Sequence, residues 1–262
     1  NLMQVICLQR NRNQKTTGVH MRTIKHFFIT LALAAIIATP ASAEDMGHDM
    51  AKEHGGKTFH MLRLETDYGG SKDGQIASWD LDGWIGTDEN KLWLKSDGEH
   101  KEGQLEDAEF WALYSRNIAT FWDAQIGVRY DAEPTSTAYA AVGFIGLAPY
   151  FFETEAHLFV SNEGYISVRL REENDFLLTQ KLIFQPYVQL NLSAHDVPER
   201  NVGAGLVDGQ IGLQTRYEFT RKFAPYVDVH YDRKFGGTSS TAISNGEDND
   251  ELVGAIGLRL MF

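Results

Sequence analysis

The feature that most constrains this chain is a two-residue alternation of apolar and polar side chains, recurring from Thr58 to the last residue. Successive side chains of a strand point to opposite faces, so this period calls for strands with one apolar and one polar face. The end of the chain shows it most plainly. Leu252, Gly254, Ile256, Leu258, Leu260 and Phe262 share one face, and Val253, Ala255, Gly257, Arg259 and Met261 share the other. After Ala43 there is no sustained helical period and no long apolar run.

The alternation divides into segments 58–68, 75–86, 91–98, 104–116, 121–133, 138–147, 150–162, 165–179, 185–196, 208–220, 224–236 and 251–262. Each is near the length a tilted membrane strand needs, and bacterial barrels favour even strand numbers. The expected fold is therefore all-β: a transmembrane antiparallel up-and-down β-barrel of about twelve strands, residues 58–262, in the outer-membrane lipid bilayer of a Gram-negative cell. Such a barrel exposes one face of each strand to lipid and the other to a wet interior. Its mean hydropathy of −0.31 is therefore no obstacle. Connections 87–90, 117–120, 148–149, 180–184 and 221–223 are brief, whereas 197–207 and 237–250 are the longest. Short periplasmic turns and longer outer loops place both termini in the periplasm. The similar hairpins Leu147-Ala-Pro-Tyr150, Phe184-Gln-Pro-Tyr187 and Phe223-Ala-Pro-Tyr226 put proline where a strand starts, and their tyrosines are expected at the interfacial aromatic girdle. A strand ending on Phe262 resembles the signal read by barrel-assembly machinery, and it argues against a soluble β-sandwich.

Residues 1–43 are expected to be an upstream extension and a cleaved signal peptide. Met21 opens a basic stretch with Arg22 and Lys25, an apolar run follows from Phe27 to Thr39, and Pro40-Ala-Ser-Ala43 supplies small residues for cleavage. Without that segment, 19 basic residues face 36 acidic ones, a net charge of −17. Such a balance repels nucleic-acid phosphates and suits cations. The single cysteine, Cys7, lies in the removed part, so thiolate catalysis and thiolate metal sites are not expected in the mature protein.

Two groups of residues could carry chemistry. The polar faces put Met61, Arg63, Glu65, Asp67, Asp80, Asp82, Asp107, Glu109, Asp123, Glu153, Glu155 and His157 in the lumen. Arg169, Arg171, Arg216, Glu218, Asp228, His230 and Asp232 join them from later strands. These charges form either a structural ion network or a path for cations lined by the surplus acids. The second group is a short, flexible periplasmic arm, residues 44–57, carrying Met46, His48, Met50 and His54, with His60 and Met61 close behind. Thioether with imidazole suits Cu(I), and imidazole alone also suits Cu(II) or zinc. Candidate metal ligands are therefore Met46, His48, Met50, His54, His60, Met61, His157 and His230, with a copper ion as the implied ligand. No nucleophile elbow, zinc-protease helix or phosphate loop is present, and Ser193 with His195 lacks an orienting third group, so no enzyme is expected.

Several ordered stretches resemble one family. They are Glu106-Asp-Ala-Glu-Phe-Trp111-Ala-Leu-Tyr-Ser115-Arg116, Gly146-Leu-Ala-Pro-Tyr150, Leu177-Leu-Thr-Gln-Lys-Leu-Ile-Phe-Gln-Pro186, and His195-Asp-Val-Pro-Glu-Arg200 with Gly203 and Gly205. Arg216-Tyr-Glu218 and Arg221-Lys-Phe-Ala-Pro-Tyr226 complete the set. From about Met61 to Phe262 the chain resembles the copper resistance protein B family. The resemblance implies an outer-membrane barrel that acts beside periplasmic copper resistance proteins in tolerance to excess copper. Members often carry a long arm rich in Met and His, here reduced to Met46, His48, Met50, His54 and His60. Three functions follow: copper capture with sequestration or transport, a general or cation-selective porin without a dedicated metal site, and an enzyme for which the sequence shows no constellation.

Overall fold

The computed structural model describes residues 57–262. The strands are β1 (Phe59–Ser71), β2 (Gly74–Gly86), β3 (Asn90–Lys101), β4 (Gln104–Ala119), β5 (Trp122–Glu133), β6 (Thr137–Ala148) and β7 (Phe152–Ser161). They continue as β8 (Ile166–Glu173), β9 (Phe176–Leu177), β10 (Leu182–Ser193), β11 (Gly205–Tyr217), β12 (Phe223–Lys234) and β13 (Asp250–Met261). Each pairs antiparallel with its neighbours, and β13 returns to β1 with Arg63 opposite Met261 and Gly70 opposite Gly254. The sheet is closed. The two-residue β9 extends β8 along β10, so the barrel has twelve staves, as the alternation predicts.

The closed sheet puts the two faces of the alternation in different solvents. Ile126, Val128, Val142, Phe144, Ile211, Val227, Val229, Leu252 and Ile256 are exposed on the outside. An apolar belt of this extent is untenable in water and is what a bilayer requires. Glu109, Gln125, Asp131, His157, Arg216 and Asp228 are buried on the inside. Aromatic side chains pack among them: Trp111 meets Phe159 edge-on at 5.0 Å, and Trp93, Leu113, Tyr139 and Ala141 complete the cluster. One mouth, here the terminus end, has the connections 87–89, 120–121, 149–151, 178–181 and 218–222, together with Phe59 and Phe262. The loop end carries the two longest connections, 194–204 and 235–249, close to their predicted places.

Three expectations need correction. The predicted strand 165–179 breaks at Asn174, because the residue facing the break is Pro186, which has no N–H to give. Asn174 instead donates its own N–H to the Pro186 carbonyl at 3.2 Å. The polar loop 237–250 contains an α-helix, Gly236–Asn245, which buries Thr238 and Ala242 and ends at Gly246 in the left-handed conformation (φ 81°). Its Gly, Ser and Thr content gave no propensity signal, so packing rather than local preference holds it.

The third correction concerns the tyrosines. Tyr150 is exposed at a turn, but Tyr187 and Tyr226 face the lumen rather than the girdle, and Tyr226 is only 4% exposed. Strand parity decides this, since both share a face with lumenal neighbours such as Gln185 and Asp228. Each ring lies over a glycine on the next strand, Tyr187 over Gly212 and Tyr226 over Gly257. A Cβ on either glycine would come within 2.3 Å of the ring.

Candidate functional site

The lumen holds a cavity of about 960 Å³, lined by 16 acidic residues against 8 lysines and arginines. Desolvated charges are tolerable only when paired or bonded, and the pairing differs around the wall. At one side β5–β8 carry Arg129, Tyr139, His157, Phe159, Arg169 and Arg171. Arg169 forks onto Glu109 of β4 with two hydrogen bonds of 2.9 Å. Arg129 bonds Asp131 at 2.6 and 2.9 Å and also reaches Glu109. Its guanidinium lies 4.8 Å from the Phe159 ring centroid.

Toward the terminus end most charges are paired as well, Glu153 excepted. Lys95 bonds Glu155 at 2.7 Å, Arg259 meets Glu65 at 2.6 Å, and Gln214 donates to Glu65 at 2.9 Å. Arg63 lies 3.4 Å from Asp82 and 3.9 Å from Glu173. Arg216 donates to Gln185 at 2.8 Å and pairs with Asp175. These links join strands across the barrel and make a structural ion network, one of the two readings the sequence left open for the lumenal charges.

The other side is different. β11–β13 and β1–β4 are contiguous in the ring, and from mid-strand toward the loop end they present Asp208, Asp228, Asp232, Glu251, Asp67, Asp80, Asp97, Glu99 and Asp107. Among the described residues, Asp67, Asp80, Asp97, Glu99, Asp107 and Asp208 take part in no ion pair. The lysines nearby are committed: Lys101 to Glu251 at 2.8 Å and Lys234 to Glu247 at 3.1 Å. Asp67 is held by Ser78 at 2.5 Å and by the Tyr226 hydroxyl at 2.9 Å. His230 stands between two carboxylates, with Nδ1 2.6 Å from Asp228 and Nε2 3.3 Å from Asp232. The Tyr187 hydroxyl donates to Asp228 at 3.2 Å. This strip can attract cations, and His230 adds one nitrogen donor to its oxygen set.

Asp97, Asp107 and Glu109 each offer an oxygen within 4.8 Å of the others. Oxygen alone suits hard cations. Glu109 already accepts from two arginines and from Trp111 Nε1 at 3.1 Å, so a cation there would meet guanidinium repulsion.

Of the residues singled out from the sequence, those within 57–262 occupy separate surroundings. Met46, His48, Met50 and His54 lie outside the described residues. His60 and Met61 are adjacent on β1 and so point to opposite faces: His60 is exposed, while Met61 packs against the tryptophan cluster. His157 is buried, with Nε2 2.8 Å from Gln125 Oε1 and its ring edge-on to Trp111 at 5.3 Å. His230 is on β12 with its two aspartates. Asp97 and Glu99 were missed at the sequence level. The odd-numbered face of 91–98, continued from Lys95 to Asp97 and then Glu99, would have found them.

A closed antiparallel sheet with an apolar outside, an ion-paired interior and an acid-rich mouth defines a transmembrane β-barrel of the outer-membrane type. Solved barrels share the fold. The NanC porin superposes with a TM-score of 0.53 at 14% identity, covering 75% of this chain and 98% of that one. The KdgM porin superposes at 0.51 and 10% identity, covering 76% and 99%. The chain belongs to the copper resistance protein B family: residues 57–262 match the family described as "Copper resistance protein B precursor (CopB)". Copper resistance protein B of Escherichia coli is 44% identical over 186 residues, covering 71% of this chain and 63% of the relative. The homolog from Pseudomonas syringae pv. tomato is 39% identical over 193 residues, covering 73% and 66%. The chain thus spans about two thirds of the length of these relatives.

Proposed function

We propose that this protein is a non-enzymatic outer-membrane barrel that binds copper ions and contributes to copper resistance, by retaining copper or by passing it across the membrane. Family membership supports the copper reading. The observation that carries it onto this chain is His230 held between Asp228 and Asp232 on the acidic strip, a mixed nitrogen and oxygen set that Cu(II) accepts. On this reading residues 1–43 are removed on export, and the arm 44–57 offers Met46, His48, Met50 and His54 from the periplasmic side. The arm collects copper there, beside periplasmic copper resistance proteins, and the barrel strip holds it in the lumen.

A second reading, a cation-selective porin, draws support from the dispersal of His60, Met61, His157 and His230 into different surroundings. Copper uptake separates the two. Purified mature protein in detergent, dialysed against Cu(II) and against Cu(I) under reductant, should retain metal. His230→Ala should weaken Cu(II) uptake, and joint alanine replacement of Met46, His48 and Met50 should weaken Cu(I) uptake, each by about tenfold. Wild-type retention no greater than that of an unrelated porin would leave the porin reading in place.

A further inference from the structure

The connection 194–204 does not project away from the barrel. Val197 is 4% exposed, and Val197, Arg200 and Val202 all line the lumenal cavity. The loop is internally braced: Val197 and Val202 exchange backbone hydrogen bonds of 2.8 and 3.2 Å, and Pro198–Arg200 makes a 3₁₀ turn ended by Asn201 at φ 57°. Its base is pinned on both sides. Asp196 accepts from the Ala204 N–H at 2.8 Å, and the Gly203 N–H donates to Thr238 of the helix at 2.9 Å.

From that base Arg200 reaches across the mouth to β5–β6. Its guanidinium donates to the Thr135 carbonyl at 2.9 Å, to Thr137 Oγ1 and to the Tyr139 hydroxyl, and lies 3.5 Å from Asp131. β8 and β7 stand between β10 and β6 in the ring. The side chain therefore closes a chord over three strand spacings, roughly 14 Å of wall. The wall under that chord carries Arg169 and Phe159, with Arg129 beside its far end on β5. Over β1–β4 the strands meet in tight hairpins at 72–73 and 102–103, and the mouth there is edged by Asp97, Glu99 and Asp107.

We infer that segment 194–204 is a constriction loop, latched by Arg200 to β5–β6, that shuts the mouth over the arginine wall and leaves entry along the acidic strip. Arg200 is then a specificity-determining residue: it denies anions the paired arginines and directs cations along unpaired carboxylates. Its planar fork suits this task, since one side chain satisfies several acceptors at once.

The test needs no copper. The mature barrel is reconstituted in planar bilayers under a KCl gradient, reading single-channel conductance and reversal potential. Wild type should be narrow and cation-selective. Arg200→Ala should at least double the conductance and lower the K⁺/Cl⁻ permeability ratio several-fold, with Arg200→Lys between the two. Thr137→Val with Tyr139→Phe removes acceptors from the other side of the latch and should shift both readings in the same direction. Replacing 197–202 by two glycines should open the mouth whatever the latch does. Heat-modifiable gel migration checks that each variant is a folded barrel. Folded variants that match wild type in both readings, or the absence of conductance in all of them, would overturn the inference while leaving the copper reading to its own uptake test.

Discussion

The two sides of the lumen are built by the same alternation and do opposite things with charge. On β5–β8 every arginine that faces inward meets carboxylates: Arg129 has Asp131 and Glu109, Arg169 has Glu109, and Arg171 has Glu173. On β1–β4 and β11–β13 the loop-end acids outnumber their partners, and Asp97, Glu99 and Asp107 stand without any. A buried charge that is paired holds strands together. One left unpaired is costly, and the cost is relieved by a cation from outside. The comparison separates the part of the interior that maintains the barrel from the part that can recognise a cation.

The largest expected effect breaks the paired side. Glu109→Gln leaves Arg129 and Arg169 under-compensated in the barrel core and should cost about 3–5 kcal/mol. Urea unfolding of the barrel in detergent, followed by tryptophan fluorescence, measures it. A loss below about 1 kcal/mol would mean that this network does not support the fold.

A smaller effect sharpens the contrast. Asp97→Asn with Asp107→Asn removes mutual repulsion on the acidic strip, so unfolding should be unchanged or shifted to higher urea. Cation selectivity in bilayers should fall several-fold. Lost stability with unchanged selectivity would reverse the roles assigned to the two sides.

The smallest effect lies at the rim. Lys72 and Asp248 pair at 2.7 Å in the loop-end connections, with side chains 53% and 57% exposed. The Lys72 ammonium beside Asp248 holds its carboxyl below the usual range. A depressed carboxyl stabilises the fold above its unfolded pKa and loses that contribution as pH falls, but full solvation screens this pair. Lys72→Ala should leave the urea midpoint unchanged at pH 7 and at pH 3.

Much of the architecture was legible because a period of two has a direct physical meaning. Parity alone sorted Arg63, Glu65 and Asp67 from Leu62 and Leu64, and Ile256 from Ala255. It failed where a motif stood in for parity: the prolines before Tyr187 and Tyr226 suggested the membrane interface, while the strand turned both rings inward over Gly212 and Gly257. The helix Gly236–Asn245 was hidden for another reason. Its residues favour no helix, and its support comes from Gly203 and the strand beside it. Of the candidate site, the sequence revealed that acids face inward, but not which of them lack a partner.

Sequence by itself determined that every second side chain from Thr58 onward seeks an apolar surrounding, and with that the barrel, its lipid face and its acidic interior. Tertiary structure alone decided which charges cancel. Arg169 meets Glu109 from 60 residues away, and Arg259 meets Glu65 across the closing seam. Such pairings depend on register, stagger and closure of the ring, which bring distant residues to one level of the lumen and carry no trace in local sequence.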